Sequence, residues 1–269
     1  MLISVCIPTF NGQQYIAESL KSVLGQSHSE LEVIVSDHGS SDSTLDIVKS
    51  FQDHRIRIVH TPQSSSIAEN WNHAVYESRG DFVKVMGQDD VLYPNALERE
   101  LAVMNIHEVD ITFCFSDRDI INHSSRVTLR PRRRQKQVGR VAAADLLRFI
   151  VRSGTNPIGE PLAVLFRRGL LEQVGGFRGD YLIDLDLYVR FLSVGDGVWT
   201  GECVGAFRVH AGSWGSNLRT KQFSVVTLFA ALRNEKPQIV RQSDLLIGSA
   251  RTTVLVPLRV IMQQIAGRR

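Results

Sequence analysis

The first half of the chain alternates short runs rich in Val and Ile with segments of helical period, and this alternation limits the fold more than any other feature. Runs of that kind predict strands, and apolar residues recurring every three or four positions predict helices. The predicted strands cover residues 2–7, 31–35, 56–59 and 82–86. Strands separated by helices are typical of stacked βαβ units. We therefore expect an α/β fold with a mostly parallel central sheet.

Composition excludes several classes of protein. The 269 residues are 43% hydrophobic, which is enough for a well-buried core. Because 31 Lys and Arg nearly balance 28 Asp and Glu, we expect no nucleic-acid partner. Cys6, Cys114 and Cys203 lie far apart, which favours reduced thiols in the cytoplasm over a disulfide frame. Without a basic leader or an uncharged run of about 18 residues, neither export nor a membrane span is expected.

Two loops that follow predicted strands are rich in small polar residues. They cover residues 8–12 and 37–42. In open parallel sheets, ligands bind outside the carboxyl ends of the strands, where helix N-termini offer free N–H groups to phosphate. These loops are therefore candidates for a nucleotide site. The residue types alone are equally compatible with ordinary turns.

Asp89 and Asp90 directly follow the fourth predicted strand, at the same edge of the sheet. Adjacent carboxylates repel each other unless a cation or hydrogen bonds offset their charge. Their hard oxygen atoms suit Mg²⁺ or Mn²⁺, which would also bind a diphosphate. A solvated pair that caps the next helix is the alternative. Neither a P-loop nor a GxGxxG motif is present, which disfavours ATPase and dinucleotide-binding functions.

Three segments in this order and spacing carry a resemblance to a known family. They are Ser4-Val-Cys-Ile-Pro-Thr-Phe-Asn11, Asp37-His-Gly-Ser-Ser-Asp42 and Gln88-Asp-Asp90. Together they resemble the signatures of the family 2 glycosyltransferases, over residues 1–110 and more weakly to about residue 215. The resemblance implies a GT-A type fold, with a Rossmann-like nucleotide-binding half and a smaller acceptor-binding half. It also implies an inverting transfer of sugar from a nucleoside diphosphate.

The resemblance assigns donor-side roles by position. The residues implied to bind the nucleotide are Pro8, Thr9, Asn11, Asp37, Gly39 and Ser40. Asp89 and Asp90 are implied to hold Mg²⁺ or Mn²⁺, and His210 of the Arg208-Val-His210 segment is implied to approach the metal or the diphosphate. Gln88 and His38 stand where the family often has Asp. The resemblance favours a UDP or dTDP sugar as the donor.

Acceptor chemistry is expected in the second half. The stretch Ile183-Asp-Leu-Asp-Leu-Tyr-Val-Arg190 is similar to the family's base motif, which makes Asp184 the implied general base and Asp186 an acceptor-binding residue. Ile183 departs from the usual Glu. From the residues alone, a role of Asp184 as a helix cap is favoured over that of a base. Glu160, in the turn Asn156-Pro-Ile-Gly-Glu-Pro161, is a candidate to bind an acceptor hydroxyl, with a plain structural turn as the alternative.

These expectations divide the chain into a donor half (1–115), an acceptor and base half (116–237) and a basic, amphipathic helical tail (238–269). Residues 130–136 are predicted to form an exposed basic loop. The tail could lie on the inner face of the membrane near a lipid-linked or saccharide acceptor, pack on its own domain or form a homodimer. A nucleotidyltransferase and a non-catalytic nucleotide-sugar-binding homologue are the alternatives to a glycosyltransferase of cell-surface polysaccharide or glycolipid biosynthesis.

Overall fold

A single mixed sheet runs through the structure. A computed structural model describes residues 1–106, 111–130, 138–210 and 224–268, without the side chains of Ile106 and residues 258–268. In these ranges the strands are β1 (Ile3–Thr9), β2 (Leu31–Asp37), β3 (Ile56–His60), β4 (Phe82–Val85), β5 (Val91–Leu92), β6 (Ile111–Ile121), β7 (Val127–Leu129), β8 (Gly139–Val141), β9 (Val164–Arg167) and β10 (Asp196–Arg208). Their order is β3-β2-β1-β4-β9-β6-β10-β5, with β7 beside β6 and β8 beside β10.

Helices cover both faces of the sheet. They are α1 (Ile16–Leu24), α2 (Thr44–Ser50), α3 (Ile67–Tyr76), α4 (Ala96–Ile106), α5 (Ala143–Ser153), α6 (Arg168–Val174), α7 (Ile183–Phe191), α8 (Ser224–Glu235) and α9 (Gln242–Arg268). Side chains alternate across β1, so that Val5 and Ile7 pack in the core that includes residues of α1, α2 and α4, and Cys6 packs in the core that includes residues of α3, α5 and α7. The described helices contain none that is long and apolar enough to cross a membrane.

The α/β fold is confirmed, and the first half is parallel as predicted. β1 pairs in parallel with β2 and β4, and β2 with β3. The second half adds antiparallel β9 between β4 and β6, and β10 then runs parallel to β6. The expected boundary after residue 115 lies inside β6. One sheet therefore carries both halves of the chain.

Sequence patterns missed part of the second half. Residues 161–167 form a 3-10 turn (Pro161–Ala163) followed by β9. β10 was not predicted, because Gly197, Gly201 and Gly205 read as turn residues. Register shifts against β6 interrupt this strand, and Gly201 has a positive φ of 73°. Most of the predicted basic loop, residues 131–136, lies outside the described residues.

Candidate active site

The candidate residues gather at the carboxyl edge of the sheet. Thr9 at the end of β1 and Asp37 at the end of β2 are register partners, so the two polar loops lie side by side. β4 runs parallel to β1 and leads into the acidic pair at the same edge. β6 is antiparallel to β9, which is antiparallel to β4, so the charged end of β6 points the same way. Parallel strands thus assemble residues that are distant in sequence.

The two polar loops are tied together by their own side chains. The Asn11 N–H donates to Ser40 Oγ at 2.9 Å, and the Ser41 N–H donates to Asn11 Oδ1 at 2.9 Å. Asn11 has φ +48°, a left-handed conformation that Asn tolerates. Asp37 is buried, at 2% exposure, and accepts the N–H groups of Gly39 and Ser40. These hydrogen bonds fix the shape of the two loops and hold them against each other.

The remaining predicted nucleotide residues line the same loops. Thr9 is 1% exposed and donates its hydroxyl to the Ile7 carbonyl at 2.9 Å. Pro8 precedes it in β1 and is partly exposed. Gly39 has φ +78°, and its carbonyl accepts from Gln63 Nε2 at 2.7 Å. The first loop also carries Phe10, which is 52% exposed.

Gln88 connects the first loop (residues 8–12) to the acidic segment, which is residues 88–90. Its Oε1 accepts the Phe10 N–H at 2.9 Å, and its Nε2 donates to the Phe10 carbonyl at 2.9 Å. An amide can make this reciprocal pair, whereas a carboxylate has no donor for the carbonyl. An Asp at this position, as the resemblance leads one to expect, would lack the hydrogen bond that Gln88 donates to the Phe10 carbonyl.

Asp89 and His210 form a pair at the mouth of the site. His210 Nε2 lies 2.9 Å from Asp89 Oδ2, and both side chains keep about a fifth of their surface exposed, 19% and 20%. The His210 ring also packs on Tyr15, with 4.9 Å between ring centroids. A carboxylate oxygen suits Mg²⁺ or Mn²⁺, and an imidazole nitrogen is a common ligand of first-row transition ions; diphosphate oxygens and water would be the other ligands.

Asp90 occupies a different environment from Asp89. It is 2% exposed, its Oδ1 accepts the Arg208 N–H, and its Oδ2 accepts the Gly87 N–H, both at 3.1 Å. Burial raises the pKa of Asp90 well above its usual range, and the charge of Asp89 acts in the same direction. Asp90 thus braces the loop from inside, and Asp89 is the carboxylate that faces the mouth of the site.

Arg208 holds this acidic segment in place from beneath. Its side chain is fully buried, its Nε donates to the Asp89 carbonyl at 2.7 Å, and its NH2 group donates to Glu18 at 2.7 Å. Its guanidinium also lies 4.5 Å from the centre of the Tyr15 ring. A buried guanidinium needs such partners, so Arg208 fixes the Asp89 backbone against α1.

Asp184 lies in the first turn of α7, as predicted for a residue that caps or catalyses. Its Oδ1 accepts the Leu185 N–H at 2.8 Å, and its Oδ2 accepts Nδ2 of Asn156 at 3.0 Å. The carboxylate therefore faces the turn at 154–160. Its negative charge is favoured by the positive end of the helix dipole.

The Arg118 and Glu160 ion pair lies close enough to Asp90 and Asp184 for its charges to act on them. Arg118 Nε donates to Glu160 Oε2, and both side chains are largely buried. The charge of Glu160 contributes to the raised pKa of Asp90. Burial is the first cause that raises the pKa of Tyr188, followed by the charges of Asp184 and Glu160. Glu160 thus lies in the electrostatic neighbourhood of Asp90, and its partner Arg118 lies in that of Asp184.

Asp186 is not brought to this cluster. Two residues along α7 from Asp184, it projects from another side of the helix. Its carboxylate pairs with Arg190 at 2.7 Å, and Arg190 donates onward to the carbonyls of Val174 and Gly176. This arrangement anchors α7 to the end of α6.

Sequence reasoning missed Arg118 and the amide of Asn156. Arg118 follows the apolar residues 111–115 of β6, which is the signal that identified Asp89 and Asp90 after β4. A charged run at the end of an apolar strand could therefore have found it. Asn156 gave no comparable signal, because Asn before Pro is an ordinary turn pair.

In the part of the chain that the structure describes, no cluster of three or more His, Cys, Asp and Glu side chains could hold a metal ion by itself. The Asp89 and His210 pair fits a cation that takes the rest of its ligands from a bound phosphate. Ser213, three residues after His210 in the sequence, lies outside the described residues.

The chain is similar to a family model and to several known proteins. The family model described as glycosyl transferase family 2 matches residues 4–175. The uncharacterized protein MT1568 of Mycobacterium tuberculosis is 32% identical over 199 residues, covering 71% of this chain and 62% of that protein. WfgD of Escherichia coli, a UDP-Glc:alpha-D-GlcNAc-diphosphoundecaprenol beta-1,3-glucosyltransferase, is 32% identical over 126 residues, covering 47% of this chain and 49% of WfgD. The chain thus spans less than two thirds of these relatives.

Two solved structures share the fold. TarS of S. aureus in complex with UDP-GlcNAc superposes with a TM-score of 0.67 at 22% identity, over 86% of this chain and 66% of that chain. The mannosyltransferase PcManGT from Pyrobaculum calidifontis, in complex with GDP-Man and Mn²⁺, gives a TM-score of 0.63 at 20% identity, over 98% of this chain and 73% of that chain.

Proposed function

Because this chain belongs to glycosyl transferase family 2, we propose that it transfers a sugar from a nucleoside-diphosphate sugar to an acceptor hydroxyl with inversion. The observation that carries the proposal is the presence of two chemical centres at one edge of the sheet. One is the Asp89 and His210 pair, and the other is Asp184; Arg118 lies near Asp184, and its partner Glu160 lies near Asp90.

The reaction is a single displacement. Asp184 accepts the proton of the acceptor hydroxyl, whose oxygen forms a bond to the anomeric carbon as the bond to the diphosphate breaks. Asp89 and His210 would hold Mg²⁺ or Mn²⁺, which offsets the charge that develops on the leaving diphosphate. The backbone of the two polar loops, with Pro8, Thr9, Asn11, Asp37, Gly39 and Ser40, would bind the nucleoside.

The substrates follow from the relatives by analogy. PcManGT was solved with GDP-Man and TarS with UDP-GlcNAc, so the fold takes donors with different bases. We favour a UDP or dTDP sugar for this chain. WfgD is named for a lipid-linked diphosphate acceptor, and a saccharide or lipid-linked acceptor in surface polysaccharide or glycolipid biosynthesis is our proposal here.

A thermal-shift screen tests the donor site. UDP, GDP, dTDP, CMP and ADP are compared with and without Mn²⁺, because a ligand that binds only the native state raises the melting temperature. We expect one nucleoside diphosphate to stabilise the protein more in Mn²⁺ than without it. Asp89→Asn should remove the metal-dependent part, and the exposed Asp46→Asn should retain it. If no nucleotide stabilises the folded protein, the proposed donor site is rejected.

Transfer itself is tested at Asp184 with the donor that the screen identifies. Asp184→Asn should lower kcat by about 100-fold or more and leave the nucleotide-induced shift in melting temperature unchanged. Asp145→Asn, at an exposed position in the first turn of α5, is the matched control and should keep full turnover. Substantial transfer by Asp184→Asn would remove it as the base, and donor hydrolysis without an acceptor separates an enzyme from a binding protein.

The outer side of α9 is proposed to contact an anionic membrane surface. Leu246 and Val254 project from it with 62% and 61% exposure, and Phe149 of α5 lies beside it at 39%. An apolar helix face flanked by Arg is suited to the lipid interface. Cosedimentation with phosphatidylglycerol vesicles should fall in Leu246→Ser/Val254→Ser. Unchanged cosedimentation rejects the contact, and a dimer lost in the same variant assigns this face to a homodimer instead.

A further inference from the structure

Both the oxygen and the nitrogen of the Asn156 side-chain amide make hydrogen bonds. Its Oδ1 accepts the N–H groups of Ile158 and Gly159 at 3.1 and 3.2 Å. Its Nδ2 donates to the Gly159 carbonyl at 2.8 Å and to Asp184 Oδ2 at 3.0 Å. A flipped amide would point its NH₂ group at two N–H donors, so the network determines which atom faces Asp184.

The turn that presents Asn156 is itself rigidly held. Gly159 has φ +110°, a conformation open to glycine, and a Cβ there would lie 3.3 Å from Cζ of Arg118. Ile158, the residue before Gly159, is 1% exposed and belongs to the core. Thr252 of α9 donates its hydroxyl to the Gly154 carbonyl at 2.8 Å. The position of the Asn156 amide is therefore fixed by packing on three sides.

The Asp184 carboxylate is oriented at both of its oxygens. Oδ1 takes the Leu185 N–H of its own helix, and Oδ2 takes the Asn156 amide. Leu182, the residue before α7, has φ +55°, so the chain enters the helix through a left-handed residue. The charged groups around this carboxylate are Arg118 on β6 and Glu160 before the 3-10 turn, with Tyr188 one helical turn along α7.

We propose that Asn156 is a positioning residue for Asp184: its amide donates to the carboxylate and fixes the direction in which that carboxylate presents its oxygens to an acceptor hydroxyl. The proposal rests on the proposed function in naming Asp184 as the base. A hydrogen bond donated to a carboxylate favours its charged form, so losing the donor should make Asp184 hold its proton to higher pH.

The test is the pH titration of the Asp184 carboxyl carbon by ¹³C NMR in the full chain, with the signal assigned by its absence in Asp184→Asn. Asn156→Asp keeps an oxygen for the two turn N–H groups but replaces the donor with a second carboxylate. Asn156→Ser keeps a smaller turn oxygen and adds no charge. We expect the Asp184 midpoint to rise by about one pH unit or more in both variants.

The matched control is Asn72→Asp. Asn72 exchanges two hydrogen bonds with the Phe177 backbone, at 2.9 and 2.7 Å, and the substitution removes one donor in the same way. It should lower the melting temperature and leave the Asp184 midpoint where it is. The same outcome in the Asn156 variants, a lower melting temperature with an unmoved midpoint, overturns the proposal and leaves Asn156 as a turn cap.

A raised midpoint supports the proposal in Asn156→Ser, because the second carboxylate of Asn156→Asp would raise the Asp184 midpoint by its charge as well. An unmoved midpoint in either variant that folds overturns the proposal. The NMR titration needs no substrate, so it is independent of whether the chain transfers sugar. If Asp184→Asn retains transfer while the Asn156 variants shift the midpoint, the base assignment fails and the coupling between the two side chains stands.

Discussion

At the scale of single residues, Gly87 shows how little space the acidic segment allows. A Cβ added there would lie 2.7 Å from Asp89 Oδ1 and 2.9 Å from Asp90 Oδ2. Real Cβ atoms do not approach other atoms so closely, and the Gly87 N–H also donates to Asp90. Because Gly87, just after β4, has no side chain, the carboxylates of Asp89 and Asp90 can both lie close to it.

We predict that Gly87→Ala impairs the proposed metal site more than it impairs folding. The methyl group must push Asp89 or Asp90 aside, so the Mn²⁺-dependent part of the nucleotide-induced shift in melting temperature should fall by more than half. Gly169→Ala in α6 is the control, because a Cβ there meets nothing within 4 Å and Ala favours helix by about 1 kcal/mol. An unaltered Mn²⁺ effect in Gly87→Ala would mean that the added carbon is accommodated elsewhere.

At the scale of elements, α9 supports the turn that holds Asp184. Its inner face carries Asp244, Gly248 and Thr252 at four-residue spacing against α5. Asp244 accepts from Arg152 at 2.9 Å, and a Cβ on Gly248 would lie 2.0 Å from the Val151 carbonyl oxygen. The tail thus packs on its own domain through one face, and the close approach of α5 and α9 depends on a glycine.

Gly248→Ala is accordingly predicted to destabilise the protein. The two helices must separate to admit the methyl group, and overpacking of this kind costs about 1–3 kcal/mol. The free energy of unfolding from urea titration measures the effect. Thr253→Ala, one position beyond Thr252 and exposed, should change that free energy by no more than about 0.5 kcal/mol. Equal stabilities of the two variants would contradict the close packing.

At the scale of the whole molecule, the sheet makes the two halves of the chain one structural unit. β9 of the second half is inserted between β4 and β6, and β10 pairs with both β6 and β5. Trp71 of α3 packs on Phe177 with 5.2 Å between ring centroids. Donor and acceptor halves are therefore a division of proposed function, built on shared strands and a shared core.

Shared strands predict cooperative unfolding. In a Trp214→Phe background, Trp199→Phe leaves Trp71 to report on the first half, and Trp71→Phe leaves Trp199 on β10 to report on the second. Urea unfolding followed by fluorescence should give the same slope m in both proteins and a single transition in each, as two-state behaviour requires. Far-ultraviolet circular dichroism should give the same midpoint as fluorescence in each protein. Two separated transitions would indicate domains that unfold independently.

The sequence by itself determined the parallel first half, the polar loops at the ends of β1 and β2, the acidic pair after β4 and the family. These follow from local periodicity and from motifs of a few consecutive residues, which short-range sterics and hydrogen bonding already specify. The predicted α/β fold is confirmed. The roles of Asp184, Asp89, His210 and the loop residues stay predictions until they are measured.

Only the tertiary structure decided which side chains meet. Gln88 reaches Phe10, Arg118 reaches Glu160, and Asn156 reaches Asp184, with sequence separations of 78, 42 and 28 residues. It also distinguished buried Asp90 from partly exposed Asp89 and made the segment 196–208, which contains three glycines, a strand paired on both sides. Such contacts depend on how strands are ordered in the sheet and how the chain returns to it, and no local pattern of residues encodes that order.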